Sequence, residues 1–372
     1  MKFLKKFTSI YFLSLIIRSF FIYLARLEVV SAIKLCIFSI VFLIVFTFNK
    51  ICLLLDRLFF DFVKVNVKKP FFIVGFPRSG TTFLHKTILK DSQFTTPKLW
   101  ELIFAPSIIQ KKIYFSISKK FKRYNFVNVI NFLLRPFVKS LDNVHEVNLS
   151  NPEEDYLFLL PFGGCFLLSA VFPVLDVWKL CDFDRKFELA DRLKLFEKYK
   201  LLVKRHLYYH GKNKIYLSKN PHFTGFIESL KIIFPDCNIL GCHRDPLKSL
   251  PSVLSSMEPP YRLMSRNVKN DLNLFIDMLD IYTNCLIRQD NDKFLFVSME
   301  KIKNELEATI LKIYNKFNYK TNPDVLNIIK IESRISKKFV TKNDYSLKYY
   351  DIDKVNFRSR YKKYYLFFEK LK

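Results

Sequence analysis

The sequence predicts an α/β fold, a parallel sheet flanked by helices, with an apolar helical appendage at the N-terminus. Three observations carry this expectation. Phe71 to Val74 is an uninterrupted apolar run, short enough for a buried strand, and it leads through a glycine-bearing loop to Thr81 and Thr82, good residues for opening a helix. Three more short apolar runs, Ile215–Ser218, Asn238–Cys242 and Phe294–Val297, are each followed by a helical pattern. Strands that alternate with helices pair in parallel and are wrapped on both faces. The third observation is a change of character near residue 70, which divides the chain into apolar, basic helices over 1–69 and an α/β domain over 70–372.

The appendage contains two apolar stretches. Lys2, Lys5 and Lys6 precede Phe7 to Ile17, Arg18 interrupts, and Ser19 to Leu24 continues. The second stretch runs from Leu35 to Phe48 between Lys34 and Lys50, and Ile51 to Leu55 extends it. Neither reaches the ~18 uncharged residues of a default spanning helix. A signal peptide fits poorly, because no small-residue cleavage site follows the first stretch. Two readings stay open: a membrane hairpin or interfacial pair whose Lys and Arg meet anionic headgroups, or two apolar helices packed on the following domain. As a hairpin, Lys2, Lys5 and Lys6 at one end and Lys64, Lys68 and Lys69 at the other put both ends on the cytoplasmic side. The expected location is cytoplasmic, with membrane association through residues 1–69.

The stretch Gly75-Phe76-Pro77-Arg78-Ser79-Gly80-Thr81-Thr82 joins the first strand to its helix. Inward-pointing N–H groups and the positive end of a helix dipole make such a loop an anion site. Gly75 and Gly80 have the spacing of a Walker A loop, so the fold is P-loop-like, but Thr81 stands where the loop Lys is expected. A nucleoside triphosphatase needs that Lys on its terminal phosphates, with Mg²⁺ beside it. Arg78 is the only cation in this loop, and its fork suits a tetrahedral oxyanion.

Further along, Pro97 marks a helix start before Leu99-Trp100-Glu101-Leu102, and residues 107–140 are apolar and basic at roughly helical spacing. Asn151-Pro152-Glu153-Glu154-Asp155 reads as a helix start, with acids against the positive dipole end and no need of a catalytic explanation. Residues 185–209 read as a long charged amphipathic helix. Lys219 and Arg244 end two of the strands, and in a parallel sheet ligands sit at the carboxyl ends of strands. Ser252 follows Arg244 by about two helical turns, although Pro251 is expected to kink or delay that helix.

Composition narrows the partners. Lys and Arg number 61 against 34 acids, a net charge of +27 that favours a nucleotide, an acidic membrane face or nucleic acid. No helix-turn-helix, zinc or RNA-binding signature is present, so nucleic acid is not expected. The seven Cys form no C-x-x-C pair and no zinc spacing with His, which predicts buried free thiols in a reducing compartment and no metal.

Pro77-Arg78-Ser79-Gly80-Thr81-Thr82 after a strand resembles the 5′-phosphosulfate loop of sulfotransferases that use 3′-phosphoadenosine-5′-phosphosulfate (PAPS). Over residues 71–300 the strings Leu-Trp-Glu-Leu, Asn-Pro-Glu-Glu-Asp, Leu-Ser-Lys-Asn-Pro-His-Phe, Phe-Pro-Asp, His-Arg-Asp-Pro and Ser-Met-Glu are similar to the mostly bacterial sulfotransferases related to tyrosylprotein sulfotransferases. The weaker string Tyr345-Ser346-Leu347-Lys348-Tyr349-Tyr350 resembles their C-terminal tail, read here as a packed, solvated edge. The resemblance implies PAPS as donor, no metal, and sulfonyl transfer to a hydroxyl or amine of a small-molecule, lipid or glycan acceptor. It implies that Arg244 and Ser252 hold the 3′-phosphate, and that Lys219 reaches the bridging oxygen, although Asn220 replaces the family's Asp. For the acceptor base it points to Glu101 first and His145 second, with His222 third. The competing readings are a P-loop kinase or nucleotide hydrolase, disfavoured by the missing loop Lys, and a non-catalytic basic binder of nucleotide or membrane.

Overall fold

A computed structural model of the protein describes residues 6–120, 126–138, 148–289, 294–338 and 347–370. Two apolar helices, α1 (Ser9–Ala25) and α2 (Val29–Phe59), come first. Five parallel strands follow in space as β2-β3-β1-β4-β5, with β1 at Phe71–Gly75, β2 at Phe94–Thr95, β3 at Ile215–Lys219, β4 at Asn238–His243 and β5 at Phe294–Ser298. The fold is α/β, as the alternation predicts.

β1 is central and wholly buried. Its side chains alternate between the two faces of the sheet, as a pleated strand requires. Phe72 and Val74 enter a large apolar core, while Phe71 and Ile73 face a smaller one built with Leu84, Ile88, Leu306, Ile310 and Ile313. The large core includes Phe7, Tyr11, Phe12 and Leu15 of the N-terminal segment, so the appendage shares packing with the α/β domain. Polar contacts add to this. Tyr23 donates to the Val171 carbonyl at 2.7 Å, Ser31 to the Met264 carbonyl at 2.8 Å, and the buried Asp56 carboxylate accepts from Arg205 Nε and the Ile108 N–H, each at 2.9 Å.

The carboxyl ends of the strands bring together the Gly75–Gly80 loop, Lys219 and His243-Arg244 at one edge of the sheet. Two local departures from the sequence reading matter there. Asn151–Glu153 do not open a regular α-helix. Lys98 bridges Pro152 and the Glu153 N–H donates to the Pro97 carbonyl at 3.3 Å, which keeps this stretch extended until a 3₁₀ helix begins at Asp155. Pro251 does not delay its helix, which runs from Pro246 to Leu263. Burial of Leu250, Pro251, Val253 and Leu254 offsets the lost backbone hydrogen bond.

Candidate functional site

The loop after β1 is shaped by two tight backbone positions. Gly75 has φ 122°, and a Cβ there would lie 1.9 Å from the Cys242 carbonyl oxygen of β4. The next N–H, of Phe76, donates to that same carbonyl at 2.8 Å, so strand and loop stay fastened to β4. Arg78 takes a left-handed conformation at φ 64°, and Gly80, at φ 84°, begins helix α3 (Thr81–Ile88). Pro77, Ser79 and Thr81 are buried, whereas Arg78 and Thr82 are half-buried. Ser79 Oγ donates to the Phe76 carbonyl at 2.6 Å and braces the turn. The first N–H groups of α3 have no partner within the helix and lie at the positive end of its dipole.

Arg244 and Ser252 meet this loop. Arg244 Nη1 donates to the Arg78 carbonyl at 3.0 Å, and Arg78 Nε donates to Ser252 Oγ at 3.2 Å. Arg244, the Arg78 side chain and the Ser252 hydroxyl therefore meet at this loop. Ser249, three residues before Ser252 on the same helix face, is buried and its Oγ has no hydrogen-bond partner among the described residues. The buried Asn220 Nδ2, next to Lys219, is likewise unpartnered. Hydroxyl, amide and guanidinium donors at a helix N-terminus fit phosphate-type oxygens.

Lys219 ends β3 and is buried. Its Nζ donates to Glu154 Oε1 at 2.8 Å. Burial opposes its charge, but the Glu154 and Glu153 carboxylates outweigh that and hold its pKa above the ordinary lysine value. Asp155 points the other way, under the sheet. It accepts from Tyr199, from Tyr216 at 2.8 Å and from Ser218 at 2.8 Å, and burial raises its pKa to about 6 against those hydrogen bonds. The short 3₁₀ segment thus fixes Asp155 in the core and leaves the partly exposed Glu154 beside Lys219. Reading those acids as a plain helix start misses Glu154. Its partner Lys219 lies 65 positions away, so no local signal marks the pair.

The three candidate bases are in different settings. Glu101, in helix α4 (Leu99–Ile103), is fully buried. Its Oε1 accepts from His210 Nε2 at 2.6 Å and its Oε2 from the Lys98 N–H at 2.9 Å. Burial raises its pKa, but the Lys111 ammonium, His210 and His206 together drive it well below the carboxylate range. His206 and His210 lie on the helix that precedes β3, so Glu101 sits toward the amino end of β3, whereas Lys219 is at the carboxyl end. Glu101, His206 and His210 hold ligand-type atoms within 4.8 Å of one another, but the buried Lys111 ammonium beside Glu101 opposes a cation there. His145 lies outside the described residues. His222 is stacked on Phe166 and bonded through Nδ1 to Tyr282 at 2.7 Å; burial, then Lys219, lower its pKa to about 3.

The C-terminal tail closes over this edge. Tyr364 stacks on Phe76, Phe368 stacks on His243 at 3.9 Å, and Tyr365 donates to Asp245 at 2.7 Å. Between the tail and the start of the Pro246–Leu263 helix is a cavity of about 840 Å³ of mixed charge, lined by Asp245, Asp351 and Asp353 as well as Lys248, Lys348, Lys354 and Arg358.

Comparison with known proteins bears on the family and the fold. The chain is 25% identical over 195 residues to the omega-hydroxy-beta-dihydromenaquinone-9 sulfotransferase Stf3 of Mycobacterium bovis and to that of Mycobacterium tuberculosis. The match takes in 52% of this chain and 46% of each relative, so the chain spans about half the length of these curated relatives. Among solved structures it resembles the sulfotransferase STF9 from Mycobacterium avium, with TM-score 0.66 and 16% identity over 84% of this chain and 80% of that one. It also resembles STF1 from Mycobacterium tuberculosis H37Rv, with TM-score 0.55 and 14% identity over 83% and 80% of the two chains. These likenesses are of fold. The model of the sulfotransferase family matches residues 70–323, more than half of the chain, and the protein belongs to that family.

Proposed function

We propose that the protein transfers the sulfonyl group of PAPS to a hydroxyl of a membrane-associated lipid or lipid-linked acceptor, on the cytoplasmic side of the membrane. The observation that carries this reading is the meeting of Arg78, Arg244 and Ser252 beside a helix N-terminus in a loop without the Walker Lys. Bound PAPS would supply an activated sulfonyl group on a phosphate leaving group. Arg78, the loop N–H groups, Thr81 and Thr82 suit the 5′-phosphosulfate end, where charge grows as the sulfur–oxygen bond to phosphate breaks. Arg244 and Ser252 suit the 3′-phosphate. Lys219 neutralises the bridging oxygen.

A base must hold an oxygen open to the acceptor. Glu154 is the more accessible acid, its side chain 21% exposed beside Lys219 and also bonded by Tyr156, whereas Glu101 is buried with both oxygens occupied. We therefore assign the base role to Glu154 and a structural role to Glu101. A lipid acceptor is supported by the menaquinone lipid in the names of the mycobacterial relatives and by the apolar helices at the N-terminus.

The test is incubation of the purified protein with ³⁵S-labelled PAPS and extracted membrane lipids, in the presence of EDTA. Label is expected to move into the lipid fraction. Label that stays in PAPS with lipid, glycan and protein fractions alike would overturn the reading. Transfer that stops in EDTA would overturn its metal-free chemistry.

A further inference from the structure

α2 is inside out. Its inward positions carry Ser31, Ser39, Asn49 and Asp56, all buried, together with Ala32, Leu35, Phe42 and Cys52. Its outward positions carry Ile33, Ile37, Ile40, Ile44, Ile51 and Leu58, each more than half exposed. A surface helix facing water has the reverse arrangement. α1 continues the pattern with exposed Ile10, Ile17 and Phe21 beside buried Tyr11, Leu15 and Ser19.

By length and composition α2 is the one helix among the described residues able to cross a membrane. Its contacts argue against crossing. Ser31 is bonded to the Met264 carbonyl near one end, Asn49 to the Ile103 carbonyl, and Asp56 to Arg205 near the other end. Ser31 and Asp56 are about 37 Å apart along the axis at 1.5 Å per residue, more than the ~30 Å hydrocarbon thickness. A crossing helix would need Met264 and Arg205, both part of one packed body, on opposite sides of the hydrocarbon, and so would break the contacts at one end. Lying flat, α2 keeps every inner contact and immerses only its outer face.

We propose that α1 and α2 form an in-plane membrane face, with the outer side of α2 sunk into the interface of an anionic bilayer along its whole length. Charge makes lipid the occupant of this face. Exposed Arg26, Lys50, Arg57 and Lys112 border the apolar residues, and the chain carries +27. Such a surface attracts anionic headgroups at roughly 1 kcal/mol per cation and repels a second copy of itself. The inference deepens the proposed membrane association and does not depend on the sulfonyl chemistry.

The experiment places an environment-sensitive fluorophore at one outer position at a time in the full chain. Cys36, the exposed native thiol, is labelled first. In a Cys36→Ser background, Ile33→Cys, Ile44→Cys and Leu58→Cys are then labelled. Each protein is mixed with phosphatidylethanolamine–phosphatidylglycerol vesicles carrying a nitroxide either near the headgroup or deep in the acyl chain. Far-UV circular dichroism checks the fold without reference to nucleotide. All four labels are expected to be quenched more by the shallow nitroxide, at one common depth. A deep label at Ile44→Cys between shallow ends would mean a spanning helix and overturn the proposal. No quenching at any position, or a dimer cross-linked through these sites instead, would also overturn it. Adenosine 3′,5′-bisphosphate binding by the same labelled proteins separates the readings, since binding without quenching would sink the membrane face alone.

Discussion

Arg78 and Arg244 lie in direct contact, the Nη1 of Arg244 on the carbonyl of Arg78 at 3.0 Å, although the chain separates them by 166 positions. The contact joins the loop after the central strand to the end of the neighbouring strand. It also pins Arg78 in its left-handed conformation, with the Arg78 side chain turned to Ser252. Ser252→Ala is therefore expected to weaken binding of adenosine 3′,5′-bisphosphate about ten-fold or more, the worth of a hydrogen bond to a charged group. Calorimetry on the two proteins checks it.

Glu154 and Glu101 give opposite expectations. Glu154→Gln should lower kcat by roughly 10²–10⁴, the usual range for a lost general base, and leave nucleotide affinity within a few-fold. Glu101→Gln should leave kcat of the folded fraction near the parent value. Its main effect is on stability, because the buried Lys111, which has no hydrogen-bond partner among the described residues, loses the largest opposing charge near it; roughly 3–5 kcal/mol is expected by denaturant unfolding. A turnover loss confined to Glu101→Gln would return the base role to Glu101.

Gly75 admits no side chain. A Cβ there meets the Cys242 carbonyl at 1.9 Å, in a backbone conformation that only glycine adopts freely. Gly75→Ala is expected to separate the central strands and cost more than ~3 kcal/mol, seen as insoluble protein or a sharply lowered Tm.

Stability should fall with acid from just below neutrality. His222 and His85 are each held near pKa 3, His222 by burial and then Lys219, and His85 likewise. A depressed folded pKa contributes stability that is full above the unfolded value near 6.5 and is lost progressively as pH falls toward 3. Each group steepens the decline by up to about 1.4 kcal/mol per pH unit. Asp155 acts oppositely. Its pKa, raised to about 6, gives stability that is full below about 3.8 and is lost as pH rises through 6. Unfolding titrations of His222→Phe and Asp155→Asn should show a shallower acid decline for the first and a steeper one for the second.

The strands, the loop and both arginines were legible because each is a local pattern: an apolar run, a glycine spacing, or a cation at a strand end. Ser252 was legible only as a spacing, since Pro251 argued against a regular helix and core burial overrode it. The pairing of Glu154 with Lys219 and of Glu101 with His210 was not legible. Each joins residues 65 and 109 positions apart, and nothing in a first-turn acid or a Glu after Trp says which distant cation it meets. The appendage was half legible. Its apolar stretches read as helices, but the polar residues on the inner face of α2 acquire meaning only from Met264, Ile103 and Arg205.

The most direct test is calorimetric titration of adenosine 3′,5′-bisphosphate into the parent protein, Arg78→Ala and Arg244→Ala. Saturable binding by the parent is expected, with at least a hundred-fold weaker binding by each variant, about 2.7 kcal/mol or more. Affinity unchanged in both variants, with the fold intact, would contradict it.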